Sequence, residues 1–357
     1  MKILDRYILF KFLRTFVFVV LIIDAIVMVI DYTEKNVKYN RANLETLQIL
    51  GYYLDYIPWV TNLIVPLLTF IAVVFVTSRL ATHSEIIAIL SSGVSFPRFL
   101  RPYLMGAILI SAISFWLTGW VIPNSNKERV AFEVKYLERP FYFNERNYHV
   151  KVADSTHFYV ESYSNRTNIG YKVVLETVVG NQLKSKLSGS RIEWDAEKEK
   201  WKIKNWQQRT FNGLEEVMSF GQEMDTTLTI TPKDFDNDYR HFETLTISEL
   251  NEYMELLKTR GSEGIEEYFV ERQVRYASPF AIIILTFIGV LVSSRKTRGG
   301  TGAMIALGFA IAFICILFFI LSRSLASKGV MDITFAAWLP NIIFSAVAFI
   351  MYRTLPR

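Results

Sequence analysis

A short segment between two long apolar stretches carries the side chains best suited to binding a partner. Ile86, Ile89 and Leu90 stand at the i, i+3 and i+4 positions of a helix. Ser84 precedes them at a position that favours an N-cap, and Glu85 falls in the first turn, where the helix dipole favours a carboxylate. The pattern predicts a short amphipathic helix over residues 84–92 that ends at Gly93.

Glu85 admits two interpretations. It caps its own helix, or it is offered to an arginine or lysine of a soluble partner as a charged hydrogen-bond acceptor. A short amphipathic helix held between two membrane spans can transmit force from such a partner. Both interpretations are consistent with the spacing of the segment.

Four further charged residues lie in or beside apolar stretches, where ionisable groups are costly. Asp24 lies within the first stretch and Arg323 closes the fifth. Lys35 and Lys38, three residues apart just beyond the first stretch, are candidates for contact with an anionic lipid head group. The alternatives are a polar contact between helices for Asp24, interfacial snorkelling for Arg323 and a solvated helix face for the two lysines.

The familiar patterns of enzymes are missing from this sequence. The glycine-rich run Arg298-Gly-Gly-Thr-Gly302 has no lysine followed by serine or threonine, so it is not a phosphate-binding loop, and we interpret it as a tight turn. The histidines, His83, His149, His157 and His241, are scattered, and neither a metal-ligand cluster nor a nucleophile motif accompanies them. We therefore expect no ATP hydrolysis by this chain, no metal site and no cofactor.

Apolar stretches long enough to cross a bilayer must position these residues. The chain has 357 residues, of which 51% are hydrophobic, and six stretches approach the roughly 20 residues that a membrane span requires. They are Leu13–Ile30, Pro58–Val76, Leu104–Ile122, Ala277–Val292, Ala303–Leu321 and Phe335–Tyr352. The sequence predicts six transmembrane helices in two groups of three.

The lysines and arginines near the spans predict the orientation, because cytoplasmic loops carry the excess of them. Those on one side are Lys2, Arg6, Lys11, Arg14, Arg79, Arg98, Arg101, Arg295, Lys296, Arg298, Arg353 and Arg357. The short loops of the other side hold Lys35, Lys38, Arg41 and Lys328. We expect both termini in the cytoplasm, and we assign the net charge of +5 to topology, with no nucleic-acid partner.

About 150 residues between the third and fourth spans are too polar for the bilayer and are expected outside. Seven runs rich in β-branched and aromatic residues predict strands separated by turns. They are Tyr148–Val152, His157–Tyr163, Lys172–Val178, Lys184–Trp194, Trp201–Phe211, Glu215–Phe220 and Thr226–Ile230. Such a series predicts an antiparallel β-sandwich or open jelly roll with an apolar interior. The single cysteine, Cys315, lies in a span, so no disulfide supports this domain.

Alternation in the fifth run places Trp201, Ile203 and Asn205 on one face of a strand and Trp206 on the other. After the strands, Thr246-Ile-Ser-Glu249 resembles a capping box.

The capping box predicts a helix that runs to about Arg260 and stops at Gly261, and a second helix from about Glu263. The predicted organisation is spans one to three in 1–125, a β domain in 126–245, a helical connector in 246–275 and spans four to six in 276–357.

Four motifs resemble the LptF/LptG permeases of the lipopolysaccharide exporter, and the resemblance covers nearly the whole chain. Leu4-Asp-Arg-Tyr-Ile8 looks like the opening motif of the family, and residues 85–95 look like its coupling-helix motif, with Ile86 and Ile89 where leucine is commoner. Val121-Ile-Pro-Asn-Ser-Asn126 and Leu339-Pro-Asn341 are similar to segments of its third and sixth spans.

The resemblance implies a half-transporter that pairs with a second permease of the same fold and with two copies of a cytoplasmic ATPase similar to LptB. It implies that lipopolysaccharide enters between the permeases, through gates formed by the first and fifth spans, and passes to jelly-roll proteins similar to LptC and LptA. Glu85, Ile86, Ile89, Leu90 and Gly93 would then contact the ATPase. Cations near the outer end of the first span would be candidates for the phosphates of the lipid.

Two functions from other classes remain open at this point. A scaffold would bind a periplasmic protein or glycan and use the spans only as an anchor, although one or two spans are enough for that purpose. A lipid-modifying enzyme would need paired carboxylates, or a nucleophile with a base, near the outer boundary of the membrane. The shared motifs do not separate the F-like from the G-like permease.

Overall fold

The computed structural model describes residues 3–137, 146–153, 155–213, 215–235, 241–260, 265–294 and 300–354. The predictions made for Lys2, Gly261, Glu263, Arg295, Lys296, Arg298 and Arg357 lie outside these residues. The chain divides into two compact units. A helical unit comprises Met1–Leu137, Glu243–Ile247 and Glu266–Arg357, and a β unit comprises Glu138–Phe242 and Ser248–Ile265.

Eleven α-helices lie along the described chain. They are α1 (Ile3–Arg41), α2 (Thr46–Thr82), α3 (Glu85–Ser91), α4 (Phe96–Trp116), α5 (Ile122–Phe132), α6 (Pro232–Phe235), α7 (His241–Thr244), α8 (Ile247–Arg260), α9 (Ile265–Ser293), α10 (Gly300–Ser327) and α11 (Ile333–Arg353). A π-helical turn, Leu117–Val121, joins α4 to α5, and a second, Glu133–Leu137, extends α5. The third long helix thus continues past the predicted domain boundary at 125, and α10 begins inside the predicted glycine-rich turn.

Six helical segments are long and apolar enough to cross a membrane, which confirms the six predicted spans. Their bounds are Ile3–Arg41, Thr46–Thr82, Phe96–Leu137, Ile265–Ser293, Phe309–Ser327 and Ile333–Arg353. A helix satisfies all its interior backbone hydrogen bonds within one segment, and therefore hydropathy alone locates such spans well.

Two of the apolar clusters through which the described helices pack on one another are the largest. In the first, Ile8 and Phe12 of α1 contact residues of α2, α3 and α4, among them Phe99. A Cβ atom at Gly106 would stand 2.7 Å from the Phe12 ring, so only glycine allows α1 to approach α4 this closely. In the second cluster, α2, α9, α10 and α11 enclose the buried Cys315.

The β unit contains one antiparallel sheet of six strands, each hydrogen-bonded to its neighbours in sequence. The strands are β1 (Arg146–Ala153), β2 (Thr156–Ser164), β3 (Ile169–Val179), β4 (Gln182–Asp195), β5 (Lys200–Asn212) and β6 (Glu215–Thr226). The inserted antiparallel β domain is confirmed. The predicted seventh strand, Thr226–Ile230, is wrong, because β6 continues to Thr226 and the residues after it are irregular.

One face of the sheet holds an apolar core built around Trp201, which is 1% exposed. Its Nε1 donates a hydrogen bond of 2.7 Å to the carbonyl of Ile230, so the irregular segment closes over the core. Ile203 is fully buried as predicted, but Asn205 is exposed and left-handed, with φ of 48°. That residue interrupts the alternation, and Trp206 packs against the core instead of joining the opposite face.

Candidate functional site

Helix α3 spans Glu85–Ser91, as the sequence predicts, in the connection between α2 and α4. Ser84 occupies the N-cap position in a left-handed conformation, and its side chain makes no capping hydrogen bond, so that part of the prediction is wrong. Gly93 has φ of +85°, a conformation that suits glycine, and it follows the end of the helix.

The apolar side chains of α3 divide between the protein and its surroundings. Ile86 is buried in the first apolar cluster, and Ile89 packs partly against it. Leu90, predicted to lie with them, is exposed, and so is Ile87. Ile87 was missed as a candidate, although its i, i+3 spacing from Leu90 marks a second helix face.

Glu85 does not cap its own helix; its carboxylate lies against α1. Tyr7 Oη donates to Glu85 Oε2 at 3.1 Å, and Lys11 Nζ lies 3.7 Å from Glu85 Oε1. Lys11 also donates to Tyr7 Oη at 2.8 Å. The Glu85 side chain remains 35% exposed, so a partner can still reach it.

Lys35 lies in a dense polar cluster and not on an open face. Its ammonium is 2.7 Å from Asp31 Oδ1 and donates to Tyr52 Oη at 2.6 Å. It also stands 5.0 Å and 4.8 Å from the ring centroids of Tyr52 and Tyr56. Lys38, one turn further along α1, is exposed and has no ion pair with the described residues.

The cluster continues from Tyr52 to a buried ion pair. Tyr52 Oη donates to Glu133 Oε1 at 2.8 Å, and Arg129 Nη1 lies 3.2 Å from Glu133 Oε2. Arg129 Nη2 binds Glu243 at 2.5 Å, and its guanidinium stacks over Trp59 at 4.2 Å. Within the helical unit, polar contacts therefore join five segments. They are α1, α2, α5 with Arg129, the π-helical turn with Glu133, and α7 with Glu243.

Asp24 and Arg323 each meet a partner inside the helical unit. Thr61 donates to Asp24 Oδ1 at 2.7 Å. Asp24 therefore makes a polar contact between helices, which was the alternative to a functional role. Arg323 donates to Glu271 Oε2 at 2.8 Å, while Glu271 Oε1 accepts from Arg275 at 2.9 Å. The structure does not bring Asp24, Arg323, Lys35 and Lys38 together into one site.

Among the described residues of the helical unit, two cavities bear on the passage of a lipid. One, of about 170 Å³, has a mixed lining in which apolar side chains accompany the polar Asn62, Ser114, Glu271 and Arg323. The other, of about 210 Å³, is almost wholly apolar and lies between α1, α2 and α4. Drug-sized ligands occupy pockets of roughly 300–1,000 Å³, so neither cavity has room for a lipid with several acyl chains.

The motif residues quoted above make contacts between helices. Asp5 of the first motif faces Arg98 at 4.0 Å, and Tyr7 of the same motif meets Glu85 of the second. Asn126 donates to the Glu243 carbonyl at 3.0 Å.

Asn126 also accepts a hydrogen bond of 2.9 Å from Arg129 Nε. Asn341 of the fourth motif donates to the Ala277 carbonyl of α9 at 2.8 Å. Each motif thus supplies a polar group that fixes one helix against another.

We predict that Arg129→Gln strongly destabilises the chain, because it leaves the buried carboxylates of Glu133 and Glu243 without their cation. Breaking a buried pair from one side costs about 3–5 kcal/mol. The same substitution at Lys198, which forms an exposed pair with Asp225, should cost about 0–1 kcal/mol. Thermal unfolding of the purified chains in detergent, followed by near-ultraviolet circular dichroism, compares the two. Equal shifts in the transition midpoint would contradict the structural role of Arg129.

The comparisons with known proteins agree with the motifs. The family described as lipopolysaccharide export system permease LptF/LptG has a sequence model that matches residues 6–354. The search of curated proteins finds no match. Because the family match covers nearly the whole chain, this protein belongs to the LptF/LptG family of lipopolysaccharide export permeases.

Proposed function

We propose that this chain is one permease of the ABC transporter that extracts lipopolysaccharide from the inner membrane and passes it toward the outer membrane. It pairs with a second permease of the same fold and is driven by two copies of a cytoplasmic ATPase similar to LptB. The family match carries this proposal, and the exposed Glu85, Ile87 and Leu90 of α3 supply a surface for the ATPase. The chain itself transports and does not hydrolyse ATP.

The second permease is what the family resemblance implies, and the size of the substrate is consistent with it. Exposing acyl chains to water costs about 0.8 kcal/mol per CH₂, so the path of the lipid must be lined by apolar surface. The two cavities described above are too small for it, which supports a path between two chains, as the family resemblance implies. The resemblance implies lateral openings at α1 and α10, and the exposure of these helices supports it, since 0% and 22% of their most apolar 18 residues are buried, against 67% for α9.

In this scheme both termini and α3 are cytoplasmic, and the β unit, Glu138–Phe242 with Ser248–Ile265, replaces the predicted 126–245 and 246–275 as the periplasmic part of the chain. The apolar face of the sheet supplies the surface that shields acyl chains on the way to jelly-roll proteins similar to LptC and LptA.

A cysteine-labelling experiment tests this orientation. Cys315 is buried, so the wild-type chain gives the background of labelling by a membrane-impermeant maleimide. Ala196→Cys, in the loop between β4 and β5, should react in intact spheroplasts. Ser91→Cys, at the end of α3, should react only after lysis. The reverse pattern would overturn the orientation.

Co-purification tests the role of α3. Tagged wild-type chain should carry an ATPase and a second permease from membranes, and Glu85→Arg should lose the ATPase because it meets a cation with a like charge. Glu34→Arg, at the exposed opposite end of α1, is the matched control and should keep the ATPase. Wild-type chain that purifies without any ATPase would replace the transporter with the scaffold.

The two lysines of α1 should differ in their effect on lipid binding. Lys38→Gln should weaken binding of lipopolysaccharide to the purified complex about fivefold at low salt, because an exposed cation contributes about 1 kcal/mol to an anionic lipid surface. Lys35→Gln should chiefly lower the melting temperature, since Asp31 loses its ion pair. Lys184→Gln, at an exposed position in β4, is the control. Microscale thermophoresis measures the affinity, and a larger loss for Lys35→Gln at unchanged stability would contradict the assignment.

A further inference from the structure

The carboxylate of Glu85 is held by two side chains that stand one turn apart on α1. Tyr7 donates to one oxygen at 3.1 Å, and Lys11 approaches the other at 3.7 Å. Lys11 also binds the Tyr7 hydroxyl at 2.8 Å, which fixes that hydroxyl as a donor toward Glu85. A carboxylate offers about four acceptor positions, so these contacts leave room for a cation from a partner.

Helix α3 cannot hold this geometry by itself. It has seven residues, and isolated helices shorter than about 12–15 residues are marginal in water. Ser84 provides no side-chain cap, and Ile86 is the one fully buried side chain of the helix. The orientation of Glu85 therefore depends on contacts from outside α3.

The first turns of α1 are a firm support for those contacts. Ile8 and Phe12 are completely buried, in the same apolar cluster as Ile86. Asp5 faces Arg98 in the first turn of α4. The start of α1, α3 and the start of α4 thus form one packed body at this end of the helical unit.

We propose that Tyr7 and Lys11 are positioning residues, which orient Glu85 for the ATPase and make the start of α1 part of the coupling site. This inference rests on the proposed function of α3. A carboxylate that is already oriented loses less conformational freedom when a partner cation binds it. Movement of α3 then passes directly to α1, through the Tyr7–Glu85 hydrogen bond and the shared apolar cluster.

Affinity measurements on the assembled permease pair in nanodiscs test this proposal, with the purified ATPase of the same exporter as the probe. Tyr7→Phe and Lys11→Met should each weaken the ATPase about threefold to tenfold, the range expected for hydrogen bonds and charges at a partly exposed site. Lys11→Arg should restore most of the affinity. Arg353→Gln removes an exposed cation from the end of α11, outside the proposed coupling site, and is the control expected to change nothing.

A double-mutant cycle separates positioning from a general effect on folding. If Tyr7 acts through Glu85, then Tyr7→Phe should have no further effect on affinity in the Glu85→Gln background. Tyr7→Phe removes only a hydroxyl from a side chain that is 45% exposed. Lys11→Met leaves the buried apolar contacts intact. If Tyr7→Phe lowers the yield of folded protein, the same cycle is measured with Lys11→Met. Additive effects, or unchanged affinity in both single variants, would overturn the proposal.

The outcome also distinguishes this inference from the function on which it rests. If Glu85→Arg abolishes ATPase binding while Tyr7→Phe and Lys11→Met bind as the wild type does, only the positioning role fails. If Glu85→Arg binds the ATPase normally, the docking role of α3 fails as well.

Discussion

Helix α1 buries side chains near its two ends, while those between them are exposed or half-buried and include Asp24, which accepts a hydrogen bond from Thr61 of α2. Its buried residues are Ile8 and Phe12 near the start and Asp31 and Tyr39 near the finish. In the most apolar stretch of 18 residues along α1, no side chain is buried. Apolar packing with polar contacts to α3 and α4 holds one end, and the Asp31–Lys35 pair with the tyrosines of α2 holds the other. The exposed apolar side chains along its middle, among them Phe18 and Leu21, are thus available for contact with lipid or with another chain.

The polar contacts at both ends obey one constraint, which is that charged groups at a membrane boundary are stable only when paired and hydrogen-bonded. Arg129 meets two carboxylates and an aromatic ring, and Glu271 meets two arginines. Such groups are costly to bury, yet each joins helices that are far apart in sequence. The ion pairs therefore specify which helices are neighbours, a task that uniform apolar surfaces perform poorly.

The features that the sequence predicted correctly depend on local pattern. Hydropathy locates the six spans, and alternation with turn residues locates six strands that pair with their sequence neighbours. The unpredicted features depend on contacts over long separations, such as Tyr7 with Glu85 and Arg129 with Glu243. The ion pair of Lys35 could have been predicted from the sequence, because Asp31 precedes Lys35 by one helical turn. The left-handed conformation of Asn205 could not be predicted in this way, because the alternation of side chains along a strand does not show which residue will interrupt the strand.

The placement of Glu85 decides how force can travel through this chain. Under the proposed function, if α3 packed on α2 and α4 alone, a push from the ATPase would reach the packed interior of the helical unit, where α9 and α2 are most buried. The contacts of Glu85 with Tyr7 and Lys11 direct the push to α1 instead, the span with the least buried surface. In the proposed transporter, a displacement of α1 would meet less buried surface than a displacement of α2 or α9. The helix proposed to open a lateral path for a lipid would then be the one that α3 contacts through Glu85.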